Sequence, residues 1–321
     1  MLKKRTRGVA AAMGVLACCS AFAADYPTRP VRIIIPFAAG GTTDTVVRLY
    51  TDQLQKRLGQ PFVIEARPGA DGMVGSDVAL KAPADGYTLL AAGLMTVAAA
   101  PLVHSNVPFD PSDALYVAAL SENSYLLVVN AAVPVNTLKE LIAYAKANPG
   151  KLNVSQPGGQ FQLDWAVFRK LAGVDLVEIP YKGAAPATAA IAANETQVMI
   201  IAPGNAKGFL DVGRLRALAA TGERRNPAQP SIPTTAEAGL PEFRSVAGNA
   251  FIVHARTSPE IAAKLNTELG AISETPQVRE RLAAFGFDPP KRMSVEGLNK
   301  HVRSLVDGYR EAARAANVVP R

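Results

Sequence analysis

The chain has 321 residues, 49% of them hydrophobic and 19% charged, enough apolar material for a sizeable core and for two domains. Its formal net charge of +7 falls to +3 when residues 1–23 are set aside, because they hold four basic and no acidic side chains. No Lys/Arg cluster interleaved with aromatics follows, which excludes a nucleic-acid footprint, and both cysteines, Cys18 and Cys19, lie in that same leader.

The leader reads as a signal peptide. Lys3, Lys4, Arg5 and Arg7 form a basic start, Val9 to Ala17 an apolar stretch, and Ala21-Phe22-Ala23 a small-residue cleavage site. The apolar stretch is far shorter than the roughly 20 residues a membrane span needs. Val15-Leu16-Ala17-Cys18 faintly resembles a lipoprotein processing site that would tether the protein at Cys18. The better-formed Ala-Phe-Ala site favours a soluble, periplasmic product cut near Ala23.

Ile33-Ile34-Ile35 is a β-branched apolar run, as expected of a strand covered on both faces, and Pro36 should end its pairing. Gly40 and Gly41 then permit backbone conformations closed to other residues. Thr42 or Thr43 can cap a helix with Val46, Val47, Tyr50, Leu54 and Leu58 on one face. The first amides of that helix lack internal partners, so an anion in the turn gains about 0.3–1 kcal/mol from the dipole. This mouth is read as half of a carboxylate site. The bland reading is a tight strand-to-helix turn.

Phe62-Val63-Ile64-Glu65 predicts a second, parallel strand, and a helix is expected over Val74 to Ala82. Tyr87 to Ala91 predicts a third strand, whose exit at Gly93 to Thr96 faces the strand carboxyl ends where ligands sit in such sheets. Ser121-Glu122-Asn123-Ser124 reads as a polar, poorly packing hinge before a strand at Tyr125 to Val129. Thr137-Leu138-Lys139-Glu140 matches a capping box, opening a helix that Asn148-Pro149-Gly150 closes. After a short strand at Leu152 to Ser155 comes the loop Gln156 to Gln160, then a helix with Trp165 and Phe168 inward.

Leu176 to Pro180 followed by Tyr181-Lys182-Gly183-Ala184-Ala185-Pro186 repeats the strand, glycine turn and open helix mouth of the first half. Further strands are predicted at Val198 to Ile201, Leu215 to Ala219 and Phe251 to Val253. Helices are expected from Ser258-Pro259, Thr275-Pro276 and Ser294, packing back on the first domain and adding little chemistry.

Several motifs in one order now carry a family likeness. Tyr26-Pro27-x-Arg29-Pro30, Ile35-Pro36-Phe37-Ala38-Ala39-Gly40-Gly41-x-x-Asp44, Arg67-Pro68-Gly69-Ala70 and Pro83-x-Asp85-Gly86-Tyr87-Thr88-Leu89-Leu90 are followed by Pro180-Tyr181-Lys182-Gly183-x-x-Pro186-Ala187. Leu215-Arg216-Ala217-Leu218-Ala219 and Pro233-Thr234-x-x-Glu237-Ala238-Gly239-Leu240-Pro241 complete the set. Together they resemble the Bug-type solute-binding receptors of tripartite tricarboxylate transporters over essentially the whole mature chain. The resemblance implies an α/β fold, a two-lobed periplasmic binding protein (a type II-like clamshell), each lobe a mostly parallel sheet flanked by helices. The lobes expected are 24–122 plus 247–321, and 123–246.

It also implies a non-enzymatic monomer without cofactor or metal that captures a small carboxylic acid, aliphatic or aromatic, for inner-membrane permease subunits. Carried onto this chain, one carboxylate is gripped by Phe37, Ala39, Gly40, Gly41, Thr42, Thr43 and Asp44 on one side. Lys182, Gly183, Ala184 and Ala185 close from the other. Asp44 itself would repel a carboxylate, so a water-mediated or lobe-bridging role is expected, and the amides near Lys182 are favoured over its ammonium. Thr96, Gly158, Gly159, Gln160 and Asn249 are candidates nearer the distal end, with Phe161, Leu94 and Met95 as apolar lining.

Here the chain departs from its relatives. Where they often carry Gly-x-Gly-Thr-x-x-His it has Pro157-Gly158-Gly159-Gln160-Phe161-Gln162. It lacks the Asp common near Ile201 and the Trp common near Asn249, and has Ala66 and Ala100 where Asn is common. The missing acid argues against an amino-acid ligand. Enzyme readings find little support: His104, His254 and His301 are scattered, the first two reading as surface or structural groups and His301 as lying on the polar side of the last helix, and no Gly-x-Ser-x-Gly elbow is present. The alternative kept is a clamshell enzyme with Asp44 as acid/base.

Overall fold

The structure, a computed structural model, describes residues 26–157, 160–181, 183–226, 229–315 and 320. The first lobe opens with β1 (Val31–Ile35), α1 (Thr42–Leu58), β2 (Phe62–Ala66), α2 (Met73–Leu80) and β3 (Thr88–Gly93). Two short helices, α3 (Leu94–Ala98) and α4 (Ala100–Val103), and the long β4 (Ala114–Ser124) follow. The second lobe runs β5 (Leu126–Asn130), α5 (Leu138–Ala147), β6 (Asn153–Gln156), α6 (Gln160–Ala172), β7 (Val177–Pro180), α7 (Ala184–Ala192), β8 (Val198–Ile201), α8 (Pro203–Asp211) and β9 (Leu215–Ala220). The chain then returns through β10 (Val246–His254) and ends in α9 (Pro259–Ser273), α10 (Pro276–Ala284) and α11 (Val295–Ala315).

The two sheets have matching designs, β2-β1-β3-β10-β4 and β7-β6-β8-β5-β9. In each, three strands pair in parallel through helical crossovers, and a fourth is inserted antiparallel beside them. The inserted strand is the one that has just arrived from the other lobe: β5 on the way out, β10 on the way back. Each sheet is therefore mixed around a parallel core. The strand carboxyl ends of both open toward one cleft, where the helices that follow β1, β3, β7 and β8 begin.

Burial follows the apolar patterning. Ile33, Ile34 and Ile35 are fully buried; Val46, Val47, Tyr50 and Leu54 of α1 seal against Ile33 and Ile35, while Ile34 faces the opposite layer with Leu80 and Leu90. Each such side chain contributes about 1.5–3 kcal/mol. In the second lobe Trp165 and Phe168 of α6 meet edge to face, 5.6 Å between centroids, over Leu127, Val154 and Ile200. Thr137 caps α5 through the Glu140 amide, while Glu140 accepts from the Asn136 amide.

Two expectations are corrected here. Ser121 to Ser124 does not pack poorly: it is the end of β4, hydrogen-bonded along β10 from Val246↔Ser124 to Asn249↔Ser121, with Ser121 fully buried. Nor does the last helix serve the first lobe alone. Its Leu298, Val302, Val306 and Tyr309 share a cluster with Leu163 of α6, so α11 clamps both lobes.

Candidate functional site

The cleft encloses about 400 Å³, a volume suited to a small organic molecule. On the first lobe it is walled by Phe37, Asp71, Thr96, Ala99, Ala100, Val103 and His104. Across from them stand Tyr125, Gln160, Phe161, Ala184, Asn205 and the end of β8. Thr43, Gly93, Gly248 and Asn249 line it between the two sides. Tyr125 and Phe161 pack with centroids 4.9 Å apart, giving the second wall an aromatic face.

The α1 mouth is built differently from the expectation of a threonine cap. Gly41 is the N-cap and offers no side-chain bond, so the first-turn amides stay uncapped from within the protein. Thr43 instead donates its hydroxyl to Asn249 Oδ1 at 2.9 Å, and Asn249 Nδ2 donates to Ser121 Oγ at 3.1 Å. Only Gly40 uses the left-handed backbone, at φ +78°; Gly41 has an ordinary φ of −76°. A Cβ on Gly41 would stand 3.2 Å from the Ala38 carbonyl oxygen.

Asp44 does not bridge the lobes. The Gly40 amide donates to its Oδ2 at 2.8 Å, and Arg48 Nε lies 3.1 Å from its Oδ1, so it fixes the turn from behind. The facing mouth, α7, begins after Gly183 at φ +101°, again without a side-chain cap. With α8 entering behind Pro203 and α3 behind Gly93, positive helix ends converge on a cleft whose described lining contains no Lys or Arg. An anion held there is held by amides and hydroxyls.

Of the sequence-predicted residues, Phe37, Thr43, Thr96, Gln160, Ala184 and Asn249 line the cleft, as do Leu94, Met95 and Phe161. Ala39, Gly40, Gly41 and Gly183 form the turns behind it, Thr42 and Asp44 stand in the first turn of α1, and Ala185 in that of α7. Gly158, Gly159 and Lys182 lie outside the described residues. Gln160 is partly committed elsewhere, since its Nε2 donates to the Val246 carbonyl at 3.0 Å and to the Tyr309 hydroxyl at 3.3 Å.

Sequence reasoning missed Asp71, Tyr125 and Asn205, and it set His104 aside as surface or structural, whereas His104 lines the cleft. The signal for Asp71 was its place between Gly69 and Gly72 in a turn. The signal for Asn205 was Pro203, one residue past an apolar strand, a helix start not read as one.

Behind the cleft, at the junction of the lobes, Asp164 of α6 is fully buried. Its carboxylate accepts from Ser245 Oγ and from the Tyr309 hydroxyl, each at 2.7 Å. Burial pushes its pKa up to about 7, against the lowering effect of these bonds. The last helix thus supplies a polar clamp, contrary to the expectation that it adds little.

Two α/β lobes of one topology, joined by two crossings and sharing a cleft at their strand ends, define a two-lobed solute-binding protein. The sequence pattern of the Tripartite tricarboxylate transporter family receptor (TctC) matches residues 46–311, and the chain belongs to that family. It is 34% identical over 272 residues to Protein BugT of Bordetella pertussis, covering 82% of each chain. Among solved structures, it matches R. palustris Rpa4515 with adipate at TM-score 0.79 and 31% identity, covering 92% of this chain and 100% of that one. MatC (Rpa3494) from Rhodopseudomonas palustris with bound malate matches at TM-score 0.74 and 30% identity, covering 90% and 100%. The family is one of solute-binding receptors, not enzymes, which overturns the alternative of an enzyme with Asp44 as acid/base.

Proposed function

We propose that the protein is exported to the periplasm, its leader removed near Ala23, and captures a small carboxylic acid that it delivers to inner-membrane permease subunits. The observation that carries this is the pair of uncapped helix mouths, α1 and α7, one from each lobe, at a cleft whose described lining has no Lys or Arg. Amides and helix ends favour a carboxylate there by about 0.3–1 kcal/mol per helix, more as water is excluded. The proposed grip is the turn from Phe37 to Asp44 with the segment from Lys182 to Ala185. Thr43, Thr96, Gln160 and Asn249 orient the ligand, and the apolar and aromatic walls take its body. The neighbours solved with adipate and with malate support a carboxylate as the ligand class.

A thermal-shift screen over mono-, di- and tricarboxylates and aromatic acids tests the reading. At 100 times Kd a true ligand stabilises the fold by about 2.7 kcal/mol, a readily visible shift. No response to any acid, together with turnover of some compound, would overturn it.

A further inference from the structure

One wall of the cleft carries a polar pair that the carboxylate grip does not use. Asp71 Oδ2 and His104 Nε2 lie 3.6 Å apart, and among the described lining residues these are the two ionisable groups apart from the Tyr125 phenol. The distance is beyond a direct N–H···O bond. Asp71 reaches the cleft by an uncommon route. It sits at φ +52°, after Ala70 at φ +46°, two successive non-glycine residues in the left-handed region. Such conformations persist where the surroundings over-determine them, and they gather at ligand sites.

The surroundings here are tight. A Cβ on neighbouring Gly72 would come within 3.0 Å of Thr96 and 3.3 Å of the Phe37 ring, both cleft residues. The backbone beside Asp71 is therefore pressed onto the wall. Asp71 stands at the mouth, its side chain 62% exposed, and His104 deeper, 20% exposed, beside Ala100 and Val103.

Resting on the carboxylate reading above, we propose that Asp71 and His104 form a hydroxyl-reading end of the cleft, which selects hydroxylated monocarboxylic acids over dicarboxylates. A carboxylate facing Nε2 favours the histidine tautomer with its proton there. The pair then presents one acceptor and one donor side by side, and a ligand hydroxyl facing both from the cleft donates to Asp71 and accepts from the His104 N–H. A second ligand carboxylate in the same place meets the negative charge of Asp71 with no Lys or Arg among the described lining residues to offset it. An ammonium satisfies Asp71 but faces the His104 N–H donor to donor.

The test is calorimetric titration of the mature protein with matched acids. Each terminally hydroxylated acid is compared with its unsubstituted parent and with the corresponding dicarboxylate, in a linear aliphatic series and a benzoate series. The hydroxy acid should bind about tenfold tighter than its parent in at least one series, the scale of a hydrogen bond to a charged group. Asp71→Asn tolerates the same backbone but lacks the charge, so it should narrow that preference and strengthen dicarboxylate binding. His104→Ala should bring the affinity ratio of hydroxy acid to parent close to one. Parent acids that bind with no gain from a hydroxyl, or a preference unchanged in both variants, would overturn the pair's role while leaving the carboxylate reading intact. Failure of every acid to bind would instead overturn the reading on which the pair rests.

Discussion

Thr43 and Asn249 are 206 positions apart in sequence, and the Thr43 hydroxyl donates to Asn249 Oδ1 at 2.9 Å. The bond ties the first turn of α1 to the returning strand β10, and Asn249 passes it on to the buried Ser121 of β4. The helix mouth is thereby positioned by the strand that enters from the other lobe. Asn249→Ala strands the Thr43 hydroxyl and leaves Ser121 Oγ only the longer bond from the residue 249 backbone amide, so urea unfolding should show a loss of about 1–3 kcal/mol. Ligand affinity should fall with it, because the first-turn amides lose their registration.

Gly40 and Gly41 should separate under substitution. Gly40 has open space around its missing Cβ but a left-handed backbone, so Gly40→Ala is expected to cost about 1–2 kcal/mol through the backbone alone. Gly41→Ala should cost less, needing only a small shift from the Ala38 oxygen. A bulky residue at Gly41 should abolish binding with the fold intact, because it occludes the α1 mouth. Circular dichroism with titration of the same variants checks both halves.

Asp164 gives the stability a pH signature. Its folded pKa of about 7 lies above the ordinary carboxylate value, so the native state holds a proton that the unfolded chain has released. Its contribution is full below about pH 4 and is lost as pH rises through 7. Asp164→Asn keeps the shape and removes the titration. The variant should gain stability relative to wild type at pH 8 and lose the difference at pH 4, read as midpoint shifts in parallel urea melts.

Two further glycines should move in opposite directions. A Cβ on Gly248 would stand 2.7 Å from the Ser121 carbonyl oxygen and 2.8 Å from Leu94, in the strand between β3 and β4. Gly248→Ala should therefore cost about 1–3 kcal/mol. Gly208, inside α8, has nothing within 4 Å, and Gly208→Ala should add up to about 1 kcal/mol by helix propensity. Thermal melts of the two variants give the contrast directly.

Much of the fold was legible where local chemistry and burial agree. The Ile33-Ile34-Ile35 run, the Thr137 cap and the proline-led starts of α9 and α10 all formed where their residues indicated. β4 was not legible, because its alanines and its polar end at Ser121 to Ser124 carry no strand signal until β10 pairs with them. The cleft was half legible. Strand-end turns point to it by sequence, whereas Asp71 enters through a left-handed backbone beside Gly72, which packs close to Phe37 and Thr96. Tyr309 meets Asp164 from 145 residues away, a contact that only the packing of α11 across both lobes creates.

A crystal structure with the acid that gives the largest thermal shift tests the central claim most directly. The account predicts one ligand carboxylate within hydrogen-bond reach of the first-turn amides of α1 and of the α7 mouth. A ligand carboxylate seated against another wall, with both helix mouths left to solvent, would contradict it.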